Sequence, residues 1–306
     1  RLYVTRHFCG VVLQGFSMAN AIKAAYWIIG AMLSFSLMAV SGRELGGYLD
    51  TFEIMMYRSL IGVFIVFIFL FYNKSFFEIS LKKIKLHFIR NIFHFAGQNL
   101  WFFAVIYIPL SQLFAFEFSV PIWVAVLAPI FLKEKLTFVR VFAILVGFFG
   151  ILIVARPNFS SLDPAIISAA LCAVGFAVTS ITTKKLTSTE SITCILFWLT
   201  IMQFIFGFIC SGIDGDIDFP IGFEFIWIIT IGICGLVAHF CITKALSLAP
   251  ALVVSPLEFL RLPFISLIGF FIYNENLEFI VFFGSIFILA ANIINIRNEA
   301  KTLETH

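Results

Sequence analysis

Laying hydrophobic against polar positions along the 306-residue chain gives ten apolar runs bounded by charge, proline or glycine. They occupy 24–42, 52–72, 88–108, 111–132, 138–155, 163–183, 191–211, 222–243, 251–273 and 278–296. Each approaches the length of about 20 apolar residues that a helix needs to cross a bilayer. The loops between them are short, and the two longest carry Lys82, Lys83 and Lys85 in one case and Asp214, Asp216 and Asp218 in the other. No room is left for a soluble domain.

Composition narrows the class. With 61% hydrophobic and 12% charged residues, and a mean hydropathy of +1.07, the chain lacks the polar surface to coat a water-exposed globule. Its 41 phenylalanines favour lipid-facing helix over the alternating polar lumen of an outer-membrane barrel. The expected fold is an all-α integral membrane protein of ten transmembrane helices in the lipid bilayer.

Charge placement orients it. With both termini in the cytoplasm, 16 of the 20 Lys and Arg fall on the inner side, and only Arg43 and Arg156 fall outside. The aspartate loop then also lies outside, as the positive-inside bias requires. The last two, Arg58 and Arg261, lie within spans.

An internal repeat emerges at an offset of 141 residues. Glu117 falls on Glu258, Phe118 on Phe259, Glu134 on Glu275, Leu136 on Leu277, Phe138 on Phe279, Ala104 on Ala245 and Pro109 on Pro250. Since each half holds five spans, an odd number, the halves enter the membrane in opposite senses. Inverted repeats of this kind are typical of secondary transporters, with the site near the midplane where the halves meet.

In this order of segments, PIFLKEKLT closing span four, GILIVARP closing span five and FFIYNENLE after span nine, the chain resembles the drug/metabolite transporter superfamily, EamA type, over residues 22–297. The resemblance implies a bacterial inner-membrane carrier without ATPase activity or cofactor. Its central cavity would be lined by spans one to four and six to nine, with spans five and ten peripheral. On this reading residues 1–22 are an N-terminal segment, disordered or not native, that shows no secretory-signal pattern. Residues 23–156 and 157–297 are the two five-helix repeats, and 298–306 a cytoplasmic tail. The six cysteines show no metal-like spacing and read as small core residues.

Ionisable groups inside spans cost roughly 2.5 to 3.5 kcal/mol each at the helix centre and ask for a reason. Arg58 in span two and Glu117 in span four sit at similar depths and could meet, while Glu258 and Arg261 in span nine are three residues apart and share a helix face. Two readings stand side by side. Buried ion pairs could pin the helices together, or the charges could open to a cavity where Arg takes a carboxylate or phosphate and Glu takes an ammonium, sulfonium or proton. Span three adds His94, Gln98 and Trp101 on one face, with Asn99 beside it, and the offset places His239 on Gln98. Pro121 and Pro129 in span four and Pro256 and Pro263 in span nine predict kinks. The stripes Ala169, Ala173, Ala177 and Ala143, Gly147, Gly150 predict close helix packing.

No GxSxG, HExxH or GxxxxGK[ST] motif supports an enzyme or an ATP-driven engine. The function expected is alternating-access transport of a small polar or zwitterionic metabolite, amino-acid-like or S-adenosylmethionine-like. The substrate site is assigned to Arg58, His94, Gln98, Asn99, Glu117, His239, Glu258 and Arg261, with a coupling ion or exchanged solute as a further partner and no nucleic acid or metal. The other class left open is a channel or a non-transporting membrane scaffold.

Overall fold

The computed structural model describes residues 18–132, 137–155, 163–187, 189–213, 215–248 and 257–304. Among these the chain is helical throughout: α1 Met18–Glu44, α2 Thr51–Asn73, a 3-10 turn Phe76–Glu78, α3 Ile84–Tyr107, α4 Leu110–Glu117 and α5 Val120–Leu132. Then follow α6 Phe138–Ala155, α7 Pro164–Thr187, α8 Ile192–Ser211, α9 Phe223–Leu248, α10 Arg261–Tyr273 and α11 Phe279–Glu304. Residues 1–17, with Cys9, and the positions of Glu134 and Pro256 lie outside the described residues.

Local chemistry sets the boundaries. Asp50 and Glu53 form a reciprocal capping box at the start of α2, and Glu53 also accepts from the Asp218 amide at 2.6 Å, which seats the aspartate loop on that helix end. At the other end of α2, Lys74 takes the left-handed conformation that stops the helix. Pro109 holds Ile108 extended and so closes α3 at Tyr107.

Among the described residues, seven stretches of helix are long and apolar enough to cross a membrane: Ile22–Glu44, Thr51–Asn73, Leu110–Leu127, Phe138–Ala155, Pro164–Leu186, Ile192–Ser211 and Phe223–Ile242. Helix α3 is long, but a row of polar residues lowers its hydropathy. Helix α10 and the apolar part of α11 are shorter. The surface is the reverse of a soluble protein's. Phe71, Phe138, Phe223 and Phe279 are 75–86% exposed, while His87, Arg90, Asn91, His94, Gln98 and Gln203 are buried.

The helices pair α1 with α9, α2 with α8, α3 with α7, α4 with α10 and α6 with α11, and α5 also packs on α7. The small-residue stripes make these contacts. Ala169, Ala173 and Ala177 are fully buried, and a Cβ on Gly175 would stand 3.0 Å from the Phe93 carbonyl of α3. A Cβ on Gly150 would reach within 2.7 Å of the Gly284 carbonyl, so α6 and α11 touch backbone to backbone there.

Spans four and nine are not merely kinked; each is interrupted. Helix α4 ends at Glu117 and α5 begins at Val120, while α10 begins at Arg261 after a turn at Phe259 and Leu260. The two breaks are 141 residues apart, the offset found in the sequence. Pro121 and Pro263 follow them in the first turn of the next helix, where a missing N–H is tolerated.

Candidate functional site

The interruption in span four frees the Phe118 carbonyl, because Ile122 turns its amide to Ser119 instead, and the Asn292 side chain of α11 donates to that carbonyl at 3.0 Å. Across the break the Phe118 and Phe259 rings stack with centroids 4.4 Å apart and planes 22° apart. The equivalent residues of the two halves therefore lie against each other.

The charges beside these breaks pair across the halves. Arg261 Nη2 donates to Glu117 Oε1 at 2.7 Å, and Trp101 Nε1 donates to Glu117 Oε2 at 3.0 Å. The macrodipole opposes each partner alone, since Glu117 sits at the negative end of α4 and Arg261 at the positive end of α10. Pairing removes both penalties. The Arg261 guanidinium also lies 4.7, 4.8 and 5.0 Å from the ring centroids of Phe35, Phe114 and Phe118, an aromatic cage that holds a cation out of water. Arg261 and Glu258 line a cavity of about 10 Å³ with Phe35, Met32 and Ile242.

Arg58 belongs to a second cluster. Its Nη1 donates to Gln98 Oε1 and, at 3.6 Å, to Met55 Sδ. Gly235 of α9 gives it room, since a Cβ there would lie 3.1 Å from Nη2. Arg58, His94 and His239 line a cavity of about 30 Å³ between α2, α3, α8 and α9, together with Ser59, Thr200 and Gln203. The His94 and His239 rings approach to 6.3 Å, and Nδ1 of His94 is buried with no hydrogen-bond partner among the described residues. No described carboxylate lies within ion-pair distance of Arg58.

Three sequence expectations need correcting. Arg58 does not meet Glu117: it pairs with Gln98, and Arg261 takes Glu117. Glu258 and Arg261 do not sit on one regular helix, because the turn at 259–260 separates them. Asn99 lines neither cavity and spends its Nδ2 donor on the Phe95 carbonyl of its own helix at 2.8 Å. Sequence reasoning missed Ser59, Thr200 and Gln203 in the Arg58 cavity, and Phe35 between the clusters. Its ring stands 5.8 Å from His239 and 4.7 Å from the Arg261 guanidinium, so it divides the two clusters. One phenylalanine among 41 carries no signal by type alone.

One end of the bundle is latched. Arg43 at the end of α1 forms an ion pair with Glu275 and donates to the carbonyls of Val105 at 2.6 Å and Ile108 at 2.5 Å. Glu275 also accepts from the Leu110 amide at 3.0 Å, and Tyr273 donates to Glu44 at 2.9 Å. Helices α1, α3, α4 and α10 are thereby tied together. Glu275→Gln removes the charge that holds Arg43 and is expected to open this end. Ser111→Cys, buried behind the latch, should then react several-fold faster with a membrane-impermeant maleimide. An unchanged labelling rate would show that Arg43 and Glu275 do not close that end.

The model of the EamA-like transporter family matches the chain twice, at residues 22–156 and 163–297. The chain belongs to the EamA-like transporter family. This EamA-like chain is similar to the S-adenosylmethionine uptake transporter of Rickettsia felis, with 26% identity over 279 residues that cover 90% of this chain and 93% of the relative. The transporter of that name in Rickettsia prowazekii is 24% identical over 94% of this chain and 97% of its own length. A riboflavin transporter of Brucella anthropi is 28% identical over 72% and 79%. A solved crystal structure matches with a TM-score of 0.62 at 15% identity, covering 89% of this chain and 96% of that one, a likeness of fold. The EamA-like chain is thus a membrane transporter of small metabolites.

Proposed function

We propose that the protein takes up a small zwitterionic metabolite of the S-adenosylmethionine type across a bacterial inner membrane by alternating access. Ten spans form two inverted five-helix repeats with both termini in the cytoplasm. Span four is α4 with α5, span nine ends in α10, and the others are single helices. Several observations support this architecture. Exchanging the halves maps the α1–α9 contact onto α7–α3 and returns α2–α8, α4–α10 and α6–α11 to themselves. The helix breaks fall at equivalent positions, and the family model matches once in each half.

The observation that carries the substrate assignment is Arg58. It is a guanidinium in an internal cavity with two imidazoles and a glutamine, and with no described carboxylate to neutralise it. That arrangement suits a substrate carboxylate. On the far side of Phe35, Glu258 offers a negative charge to an ammonium or sulfonium. Riboflavin has neither a carboxylate nor a cationic centre, so these charges fit it less well. The cavities of about 30 and 10 Å³ hold water at most, so a metabolite enters only when the bundle opens.

Proteoliposomes loaded with unlabelled S-adenosylmethionine test the reading. They are expected to accumulate labelled S-adenosylmethionine transiently and saturably, with competition by S-adenosylhomocysteine and little by riboflavin. Absence of counterflow from active preparations, or uptake that fails to saturate, would remove the substrate or the carrier mechanism respectively.

A further inference from the structure

We propose that His87, Glu190 and Cys194 form a binding site for one zinc-class divalent cation where α3 and α8 begin. One nitrogen, one carboxylate oxygen and one sulfur from these residues all lie within 4.8 Å of one another. A small inward adjustment brings them to the spacing of a tetrahedral metal shell with water as the fourth ligand.

The second observation is His87 itself. It is fully buried, and neither Nδ1 nor Nε2 has a hydrogen-bond partner among the described residues. An imidazole buried with both nitrogens unpaired forfeits one donor and one acceptor interaction. A cation on one nitrogen supplies the missing partner of the acceptor, and the other N–H is then polarised towards any water in the site.

The surroundings position Cys194. Ser191 caps α8 by accepting from the Cys194 amide at 3.1 Å, which fixes Cys194 in the first turn. The Ser80 amide points at Cys194 Sγ from 3.4 Å, and Trp198 Nε1 holds the Ser80 carbonyl at 2.9 Å. Such outer contacts orient metal ligands. Arg90 is the cation facing His87, and it is engaged by Thr183 at 2.7 Å and Asn91 at 3.1 Å, while Glu78 adds negative charge on the Cys194 side.

Binding forms an S–metal bond and releases the thiol proton to solvent, so that a thiolate and a carboxylate neutralise the 2+ charge. The mixed nitrogen, oxygen and sulfur set suits Zn²⁺ and disfavours Mg²⁺ or Ca²⁺. The ion would clamp α3, which bears His94 and Gln98, to α8, which bears Gln203, at the end opposite the Arg43 latch.

The test uses the full-length protein, purified in detergent, stripped of metal and titrated with Co²⁺. A thiolate-to-cobalt charge-transfer band should saturate at about one equivalent and disappear when Zn²⁺ is added. Cys194→Ser should abolish the band and His87→Ala should weaken binding by about 10-fold or more. Equal thermal unfolding of metal-free wild type and Cys194→Ser would show that the variant folds. Should that variant fail to fold, protection of Cys194 from a thiol reagent by Zn²⁺ in the wild type serves as the second readout. A wild type that gives no band and no protection, or a band that survives Cys194→Ser, would overturn the site and leave the trio as a packing cluster.

Discussion

Arg58→Ala is expected to lower substrate affinity about 100-fold while the protein still reaches the membrane at wild-type levels. Arg58 is the cation that lines the larger of the two polar cavities, and its guanidinium is held in place by Gln98 and by the open face of Gly235. Charge-assisted hydrogen bonds contribute about 1.5–3 kcal/mol each, and about 2.8 kcal/mol corresponds to two decades in Kd. Arg58→Lys keeps the charge but loses the planar fork, so a smaller loss of about 10-fold should follow. Both are read from the concentration dependence of counterflow. A wild-type profile in Arg58→Ala would place the substrate elsewhere, with the Arg261 cluster next in line.

Glu117→Ala should be the more damaging change to the fold. It strands Arg261 inside its ring of Phe35, Phe114 and Phe118 without an anion, and breaking one side of a buried pair typically costs about 3–5 kcal/mol. The thermal midpoint in detergent is expected to fall sharply, and transport with it. The informative partner is the double neutral variant Glu117→Gln with Arg261→Met, which removes both charges and keeps most of the side-chain volume. If the proposed alternating access opens and re-forms the pair as the helix breaks flex, the double variant should recover the midpoint without recovering transport. Recovery of transport as well would make the pair a static pin. Glu258→Gln, which leaves that ion pair intact, is expected to abolish transport with little change in stability.

The elements were legible in the sequence where a single physical quantity decided them. Among the described residues helix falls within each apolar run, seven stretches of it long enough to cross a membrane, and the 141-residue offset aligned Glu117 with Glu258 and Phe118 with Phe259. The buried polar face of α3 also followed, since His94 and Gln98 pointed at lipid would be costly. What failed was pairing. Arg58 and Glu117 share a depth, but depth does not fix rotation about a helix axis, and in the bundle they face different neighbours. The split between Glu258 and Arg261 was hidden because Pro263 signals a bend without locating the turn. Arg43 was read as an outside charge alone, although the match of Glu275 to Glu134 already marked its partner as special.

The polar face of α3 bears on how the chain is made. Six polar side chains, His87, Arg90, Asn91, His94, Gln98 and Asn99, are buried along this one helix. A segment carrying them enters lipid poorly on its own, because each must be sheltered from hydrocarbon. Its shelter comes largely from α7, and α7 leaves the ribosome only after α4, α5 and α6. During synthesis α3 must therefore wait beside the insertion machinery or lean on α2 until the second half arrives. A first half expressed alone should be recognised by quality-control proteases, and co-expression of the second half as a separate chain should rescue it.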